Sequence, residues 1–274
     1  MVTAIHIVNV LLPMLILASF TAYLIDFIKG DFKLNNVKRL FLFITLLMHA
    51  FYLIMRTSQF NHPPITNQFE VFTVIAFSIL FTYFVLELLT DIRGTGVFII
   101  FLALIFQIFS TIYIADLIEV KEILQSYLLG FHVISALLGF SAISIAAAYG
   151  IMYLLLYRRI KKNIFGIIFN RLPNLEILEK LLFYSISIGF VLLTIAIGIG
   201  IVWLPIAFPD FNTFDPKIIS SSMVWIIYGT AIIRKLLGNM GGIKLVWFSL
   251  IGFIIAVLSL LLTEMLASSF HAFN

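Results

Sequence analysis

The feature that most constrains this chain is a series of apolar stretches, each of about 20 residues, separated by short segments that hold the charges. A helix of about 20 apolar residues crosses the hydrocarbon core of a bilayer. Eight stretches are present, near residues 5–28, 40–55, 70–90, 97–115, 127–157, 181–203, 218–233 and 244–268. The sequence therefore predicts an all-α polytopic membrane protein, with a single transmembrane domain over residues 1–274 built from eight helices.

The composition excludes a water-soluble fold. Hydrophobic residues make up 62% of the chain and charged residues only 11%, whereas soluble domains carry about 25% charged residues. The chain has no cysteine, which excludes disulfides, thiolate nucleophiles and cysteine-ligated metals. It also has no HExxH, P-loop or GxSxG motif, so we expect no enzymatic activity.

Positive charges are distributed unevenly between alternate loops. One set of loops holds 14 of the 17 Lys and Arg residues. They are Lys29, Lys33, Lys38, Arg39, Arg93, Arg158, Arg159, Lys161, Lys162, Arg171, Lys180, Arg234, Lys235 and Lys244. Only Arg56, Lys121 and Lys217 fall in the other set. Because cytoplasmic loops are enriched in Lys and Arg, this pattern predicts that the first set is cytoplasmic and that both termini lie outside.

The longest predicted cytoplasmic loop, residues 158–180, reads RRIKKNIFGIIFNRLPNLEILEK and mixes basic with apolar residues. Two interpretations stay open. The loop is either an anchor at an anionic membrane surface, partly as an interfacial helix, or a docking surface for a cytoplasmic protein. Nothing in it resembles a stacking platform or an RNA-binding fold, so we expect no nucleic acid partner.

The predicted topology places four of the five histidines, His6, His62, His132 and His271, at or near the outer side. Two neutral imidazoles from different helices, His132 and His271, are able to clamp the iron of a porphyrin from both faces. The alternative interpretation is that both are ordinary histidines at the membrane interface, bonded to backbone or water. His49 lies about ten residues into the second span and is either a helix–helix hydrogen-bonding residue or a ligand.

Glycines lie mainly inside the apolar stretches, where small residues let helices approach closely. In the sixth span, Gly189, Gly198 and Gly200 are predicted to have this role. The carboxylates of Asp26 and Glu87 lie near span ends, which gives little support to a proton-coupled transporter with a mid-membrane relay.

Four segments resemble the CcsA superfamily of cytochrome c assembly proteins. The stretch 62–70, HPPITNQFE, is similar to the family segment that opens a span. The stretch 46–56, LLMHAFYLIMR, carries His49 and Arg56 in a similar pattern. His132 in LLGFHVIS and His271 in SSFHAF resemble the two outer histidines of the family.

One loop departs from the family pattern. The family presents haem on a tryptophan-rich loop of the form WGxYWxWDPKE, and residues 208–218 read FPDFNTFDPKI. The DPK triplet matches, whereas Phe208, Asn212 and Phe214 stand at the tryptophan positions. The following span also lacks the histidine of the cytochrome c synthase branch near Arg234. The chain is therefore most similar to the HemX branch.

This resemblance implies a multi-pass protein of the bacterial plasma membrane that binds haem b non-covalently. It implies that His132 and His271 are the axial metal ligands. The three phenylalanines of the loop 208–214 then either cover the haem or form an ordinary interfacial aromatic belt. Haem propionates prefer cationic partners, for which Lys217 is the first candidate and Arg56 the second. The cofactor-binding residues are predicted to be His132, His271, His49, Lys217, Arg56, Phe208, Phe211 and Phe214.

The HemX branch further implies a role in haem biosynthesis, as a regulator of glutamyl-tRNA reductase abundance. The basic loop 158–180 is then the expected contact for the reductase. The main alternative is haem transport or presentation for cytochrome c maturation, which the altered loop 208–218 disfavours. A small-solute transporter and a purely structural assembly factor are further alternatives, and neither explains the outer histidine pair.

Overall fold

The computed structural model describes residues 2–30, 35–114, 116, 126–207 and 216–265. Within these ranges the chain forms nine α-helices and no β-strand, which agrees with the predicted all-α class. The helices are α1 (Val2–Lys29), α2 (Asn35–Phe60), α3 (Gln68–Thr90), α4 (Gly96–Tyr113), α5 (Tyr127–Lys161), α6 (Ile167–Arg171), α7 (Leu175–Ala207), α8 (Pro216–Leu236) and α9 (Ile243–Met265).

Six helices are long and apolar enough to cross a membrane, namely α1, α2, α3, α4, α5 and α7. A shorter apolar helical stretch, Ile243–Leu258, lies within α9. The chain is therefore a multi-pass membrane protein. The seventh predicted span corresponds to α8, but the count of eight spans and the outer location of both termini stay predictions.

Helix α2 extends well beyond the predicted stretch 40–55 at both ends. The predicted stretch ends where charged residues begin, because charged residues were assigned to loops. In the structure, charged side chains near both ends of α2 are buried inside the helical bundle. Lys38 at the start of α2 pairs with Asp26, and Arg56 near its end pairs with Glu70. Because each charge has a partner, the helix continues through positions that sequence reasoning assigned to loops.

Helix α1 contains a proline in its interior, Pro13. Proline has no N–H, so the carbonyl of Asn9, four residues earlier, lacks its usual partner within the helix. The Thr111 hydroxyl of α4 donates to this carbonyl over 3.2 Å. Helix α4 thus provides the hydrogen bond that the Asn9 carbonyl lacks within α1.

The long helices pack in two groups. In the first group, α1 packs against α2 and α4, and α3 packs against α2 and α4. The second group contains α5, α7, α8 and α9, and it joins the first mainly through the contact between α3 and α5. The contact between α5 and α7 is the most extensive in the described part of the chain.

Two of the three predicted packing glycines are confirmed. A Cβ at Gly189 would lie 3.1 Å from the carbonyl oxygen of Gly139, so α5 and α7 touch through their backbones. A Cβ at Gly200 would contact the ring of His132. At Gly198 the described residues give no such contact, because none of them from outside the local helix backbone lies within 4 Å of the position that its Cβ would take.

The bundle has two chemically different ends. The basic end contains the described cations of the first loop set, and there α1 finishes, α2 and α4 begin, and α6 lies. Its ion pairs include Lys38 with Asp26, Arg39 with Glu87, and Lys235 with Glu179. The opposite end contains the start of α1, the end of α2 and the starts of α3 and α5.

Candidate functional site

His132 lies in the second turn of α5, at the end of the bundle opposite the basic end. Its ring nitrogen Nδ1 is 2.8 Å from the carbonyl oxygen of Ala196 in α7. A carbonyl oxygen only accepts hydrogen bonds, so Nδ1 carries the hydrogen and donates it. In the neutral imidazole the lone pair is then on Nε2, the nitrogen with which a histidine so oriented binds a metal.

Gly200 provides the surface on which this imidazole rests. It lies one helical turn after Ala196, and a Cβ there would come within 3.1 Å of Cε1 and 3.2 Å of Nδ1 of His132. Contacts of that length are tighter than ordinary van der Waals packing. Helix α7 therefore positions the His132 ring through the hydrogen bond to the Ala196 carbonyl and through the close contact with the Gly200 backbone.

The His-Pro-Pro segment, residues 62–64, packs against the start of α5. A Cβ at Gly130 would lie 2.8 Å from Cγ of Pro63, so the proline ring sits directly on the backbone of Gly130. His62 is buried, with an exposure of 2%, and its Nδ1 lies 2.9 Å from the carbonyl oxygen of Pro63. The segment thus supports the first turn of α5, two residues before His132.

The remainder of this motif builds the start of α3. The side chain of Asn67 caps the helix by accepting hydrogen bonds from the backbone N–H groups of Phe69 and Glu70. The Glu70 carboxylate in turn accepts from the backbone N–H and the hydroxyl of Thr66, at 2.8 and 2.7 Å. These reciprocal bonds resemble a capping box, and they explain why Asn and Glu occur at this spacing.

Arg56 is engaged by carboxylates rather than open to a ligand. Its guanidinium lies 2.9 Å from Glu70 and 2.9 Å from Asp116, and the side chain is 1% exposed. It also lies over the ring of Phe60, 4.9 Å from the centroid. In this structure Arg56 joins α2 to α3 and to the segment after α4.

His49 lies in the other group of helices from His132, on α2, and has no exposed surface. Its Nε2 is 3.0 Å from the hydroxyl oxygen of Thr73. That hydroxyl donates to Oε1 of Gln107 over 2.9 Å, so its oxygen accepts from Nε2–H of His49. Gln107 then donates to the Thr111 hydroxyl over 3.1 Å. His49 therefore begins a hydrogen-bond chain that links α2, α3 and α4.

The remaining predicted site residues lie wholly or partly outside the described residues. They are His271, Phe208, Phe211 and Phe214, together with Lys217, whose backbone begins α8 but whose side chain is not described. Among the described residues, no group of three or more His, Asp or Glu side chains could hold a metal ion. The structure thus places His132 in a defined setting, and the pairing of His132 with His271 stays a prediction.

Sequence reasoning missed the residues that hold His132. Ala196 acts through its backbone carbonyl, which no side-chain pattern reveals. Gly200 was predicted as a helix-packing glycine, but the sequence did not show that its partner is the His132 ring. Gly130 contacts Pro63 and so supports the turn before His132; its position two residues before His132 was the one available signal of this role.

Comparison with known proteins identifies relatives of this chain. Residues 65–271 match the sequence model of the Cytochrome C assembly protein family. Protein HemX of Brevibacillus brevis is 25% identical over 220 residues, which cover 77% of this chain and 78% of that protein. Cytochrome c biogenesis protein CcsA of Mesostigma viride is 25% identical over 290 residues, which cover 94% of this chain and 95% of that protein. The chain thus belongs to the Cytochrome C assembly protein family.

Proposed function

We propose that this protein binds haem b non-covalently at the end of the bundle opposite the basic end, with His132 and His271 as axial ligands. The observation that carries this proposal is the hydrogen bond from Nδ1 of His132 to the Ala196 carbonyl. Metal-binding histidines usually donate their second ring N–H to a carbonyl or carboxylate, which sets the tautomer and the ring orientation. The setting of His132 has this form.

Haem, when bound, would be held by the imidazoles of His132 and His271 and would supply an iron centre that such nitrogens coordinate. The role of this chain is to orient the ligands and to exclude water. The Ala196 carbonyl and Gly200 hold the His132 ring. The phenylalanines of the loop 208–214 would cover the porphyrin, and Lys217 would pair with a propionate. Arg56 is left out of this proposal because Glu70 and Asp116 already occupy its guanidinium.

Visible absorption spectra of the detergent-purified protein, oxidised and reduced, test this assignment. We expect the wild type to show a bis-histidine b-type spectrum, and His132→Ala and His271→Ala to lose it. His6→Ala is the matched control, because His6 lies at the same end, contacts Asp116 at 3.1 Å and is 56% exposed. Added imidazole should restore the spectrum of His132→Gly. Wild-type spectra in both alanine variants would refute the assignment.

We further propose that haem binding regulates the abundance of glutamyl-tRNA reductase, as the HemX resemblance implies. Helix α5 has 35 residues, so it is about 52 Å long and exceeds a hydrocarbon core of about 30 Å. Its first turns carry His132 and its last turn carries Arg158, Arg159 and Lys161. One continuous helix therefore connects the proposed ligand to the basic loop 158–180, and a haem-dependent shift of α5 would reach that loop.

Reductase abundance in cells measures this regulation. Changing Arg158, Arg159, Lys161 and Lys162 to Gln should alter the abundance of the reductase while the haem spectrum stays that of the wild type. A variant with Arg234→Gln and Lys244→Gln is the control, because both side chains are exposed and lie outside this loop. Equal reductase levels in the wild type and the loop variant would exclude the loop as the contact.

The alternative function is haem delivery for cytochrome c maturation. The family match and the CcsA relative that covers 94% of this chain favour it. A deletion strain distinguishes the two functions. Under our proposal, the deletion changes reductase abundance and leaves covalent haem staining of c-type cytochromes intact, whereas the reverse result supports the alternative.

A further inference from the structure

A cleft of about 490 Å³ opens at the basic end, between the end of α1, the start of α2, the α3–α4 connection and α6. Its charged lining residues come from four different segments of the chain. They are Asp26, Lys38, Asp91, Arg93 and Arg171. This basic cleft is remote from His132 and plays no part in the proposed haem site.

Most of the charges in and beside the basic cleft neutralise each other. Lys38, which is 1% exposed, pairs with Asp26. Asp91 accepts from Arg93 over 2.7 Å and from Arg39 over 2.6 Å. Hydrogen bonds from Arg93 and Arg39 hold the pKa of the Asp91 carboxyl below its usual value, so this carboxylate stays ionised.

Arg171 is the exception to this neutralisation. Arg39 reaches a second carboxylate, that of Glu87, over 2.9 Å, so four cations in this region meet three carboxylates. Among the described residues, Arg171 bonds to a backbone carbonyl instead of a carboxylate, donating from Nη2 to the oxygen of Ile28 over 3.0 Å. Among the described side chains that line the cleft or pair across it, the excess positive charge is that of Arg171.

The backbone holds Arg171 in place over the cleft. Gly30 follows α1 with φ +67°, and its missing side chain leaves the space that the Arg171 guanidinium occupies. The N-terminus of α4 is also close, because Gly94 lines the cleft. The hydroxyl of Thr95 points to Tyr149, 3.4 Å away, and does not cap this helix. The positive end of the α4 dipole thus adds to the charge of Arg171.

An apolar groove of about 500 Å³ adjoins this region and runs between α1 and α2. It is lined by side chains such as Met14, Leu17, Val37 and Phe41, which are 59%, 50%, 42% and 41% exposed. At its basic end, Ile25 and Val37 line the groove, and the residue after each of them, Asp26 and Lys38, lines the basic cleft. The apolar groove therefore adjoins the part of the basic cleft that Asp26 and Lys38 line, and Arg171 lines the same cleft.

We propose that the basic cleft binds the phosphate of an anionic phospholipid, with Arg171 as its principal contact and one acyl chain in the groove between α1 and α2. A phosphate provides the negative charge that Arg171 lacks, and guanidinium pairs with phosphate through parallel hydrogen bonds. The apolar groove favours a lipid over free phosphate, because free phosphate has no apolar chain that could occupy the groove. Basic pockets between membrane helices on the cytoplasmic side are a recurrent mode of anionic lipid recognition.

Native mass spectrometry of the full-length protein, with added phosphatidylglycerol or phosphatidylcholine, tests this site. Both lipids carry a phosphate, but the choline ammonium of phosphatidylcholine cancels its negative charge and would lie near the cations of the cleft. Because the juxtaposition of like charges is costly, we expect the wild type to retain phosphatidylglycerol at least about tenfold more tightly than phosphatidylcholine. Arg171→Gln should lose this preference, and Arg171→Lys should keep part of it. Arg234→Gln is the control, because Arg234 is exposed and lies outside both the cleft and the loop 158–180.

Two further measurements separate the lipid from other ligands and from misfolding. Glycerol 3-phosphate should compete poorly, and competition as strong as that of the lipid would overturn the lipid assignment in favour of free phosphate. Val37→Trp fills the apolar groove without touching Arg171, and we expect it to weaken phosphatidylglycerol binding. Equal binding of the two lipids by the wild type, or unchanged preference in Arg171→Gln, would refute the site.

Discussion

Arg56 and Glu70 form an ion pair of 2.9 Å in which the two side chains are 1% and 0% exposed. The pair connects the end of α2 to the start of α3, on either side of the loop that contains the His-Pro-Pro segment. Burial of two charges is tolerated when they are paired and when other groups satisfy their remaining hydrogen-bonding capacity. Thr66 and Asp116 provide those further bonds. This ion pair therefore positions the loop that supports the start of α5.

Removing one member of this pair should destabilise the protein strongly. We expect Arg56→Gln to lower the free energy of unfolding by about 3–5 kcal/mol, because it leaves the buried Glu70 carboxylate without its cation. Glu70→Gln should also destabilise the protein but cost less, because Asp116 still pairs with Arg56. Thermal unfolding in detergent measures the loss. Asp116→Asn is the control and should cost less, since Asp116 is 24% exposed. Single variants as stable as the wild type would contradict this account.

The hydrogen-bond chain from His49 should matter for stability and not for haem binding. His49→Ala should lower the free energy of unfolding by about 1–3 kcal/mol, because Thr73 then loses a buried partner. Gln107→Leu should cost a similar amount, and the double variant should cost less than the sum, since both residues belong to one chain. A changed haem spectrum in His49→Ala would instead support the predicted ligand role of His49.

Two glycines of α7 provide a matched test of the His132 setting. Gly200→Val should displace the His132 ring, because even a Cβ would lie 3.1 Å from it. We expect a loss of haem affinity of about tenfold, which corresponds to overpacking of ~1–3 kcal/mol. Gly198→Val changes the same helix two residues earlier, where no described residue from outside the local helix backbone lies within 4 Å of the Cβ position, and it should leave haem titrations unchanged. Equal effects of the two substitutions would show that Gly200 does not hold the ring.

We expect the Asp91 carboxylate to make the stability of the protein depend on pH in the acidic range. Hydrogen bonds from Arg93 and Arg39 lower its pKa in the folded protein below the usual 3.8. A carboxyl whose folded pKa is depressed contributes stability above its unfolded pKa and loses it as the pH falls through the folded pKa. We therefore expect Asp91→Asn to melt at a lower temperature than the wild type near neutral pH. The difference should shrink below pH 3.8, and a difference independent of pH would contradict the proposed cause.

The sequence alone determined the fold class and the family. Apolar stretches of about 20 residues require helices in a bilayer, because every backbone polar group must bond internally there. The HPPITNQFE motif could be assigned to the start of a span, and the structure shows why, since Asn67 caps α3 and the Glu70 carboxylate accepts from Thr66 just before the helix. The ends of α2 were misjudged because charged residues look like loop residues until their partners are known.

Tertiary structure alone decided which groups surround each histidine. The Ala196 carbonyl, the bare backbone of Gly200 and the hydroxyl of Thr73 contact histidines that lie 64, 68 and 24 residues away in the sequence. Backbone carbonyls and glycines leave no distinctive pattern in a sequence, and their roles arise when helices pack. Hydrophobic length thus determines which segments become helices, whereas the packing of those helices sets the tautomer of His132, buries Arg56 and leaves Arg171 without a carboxylate partner among the described residues.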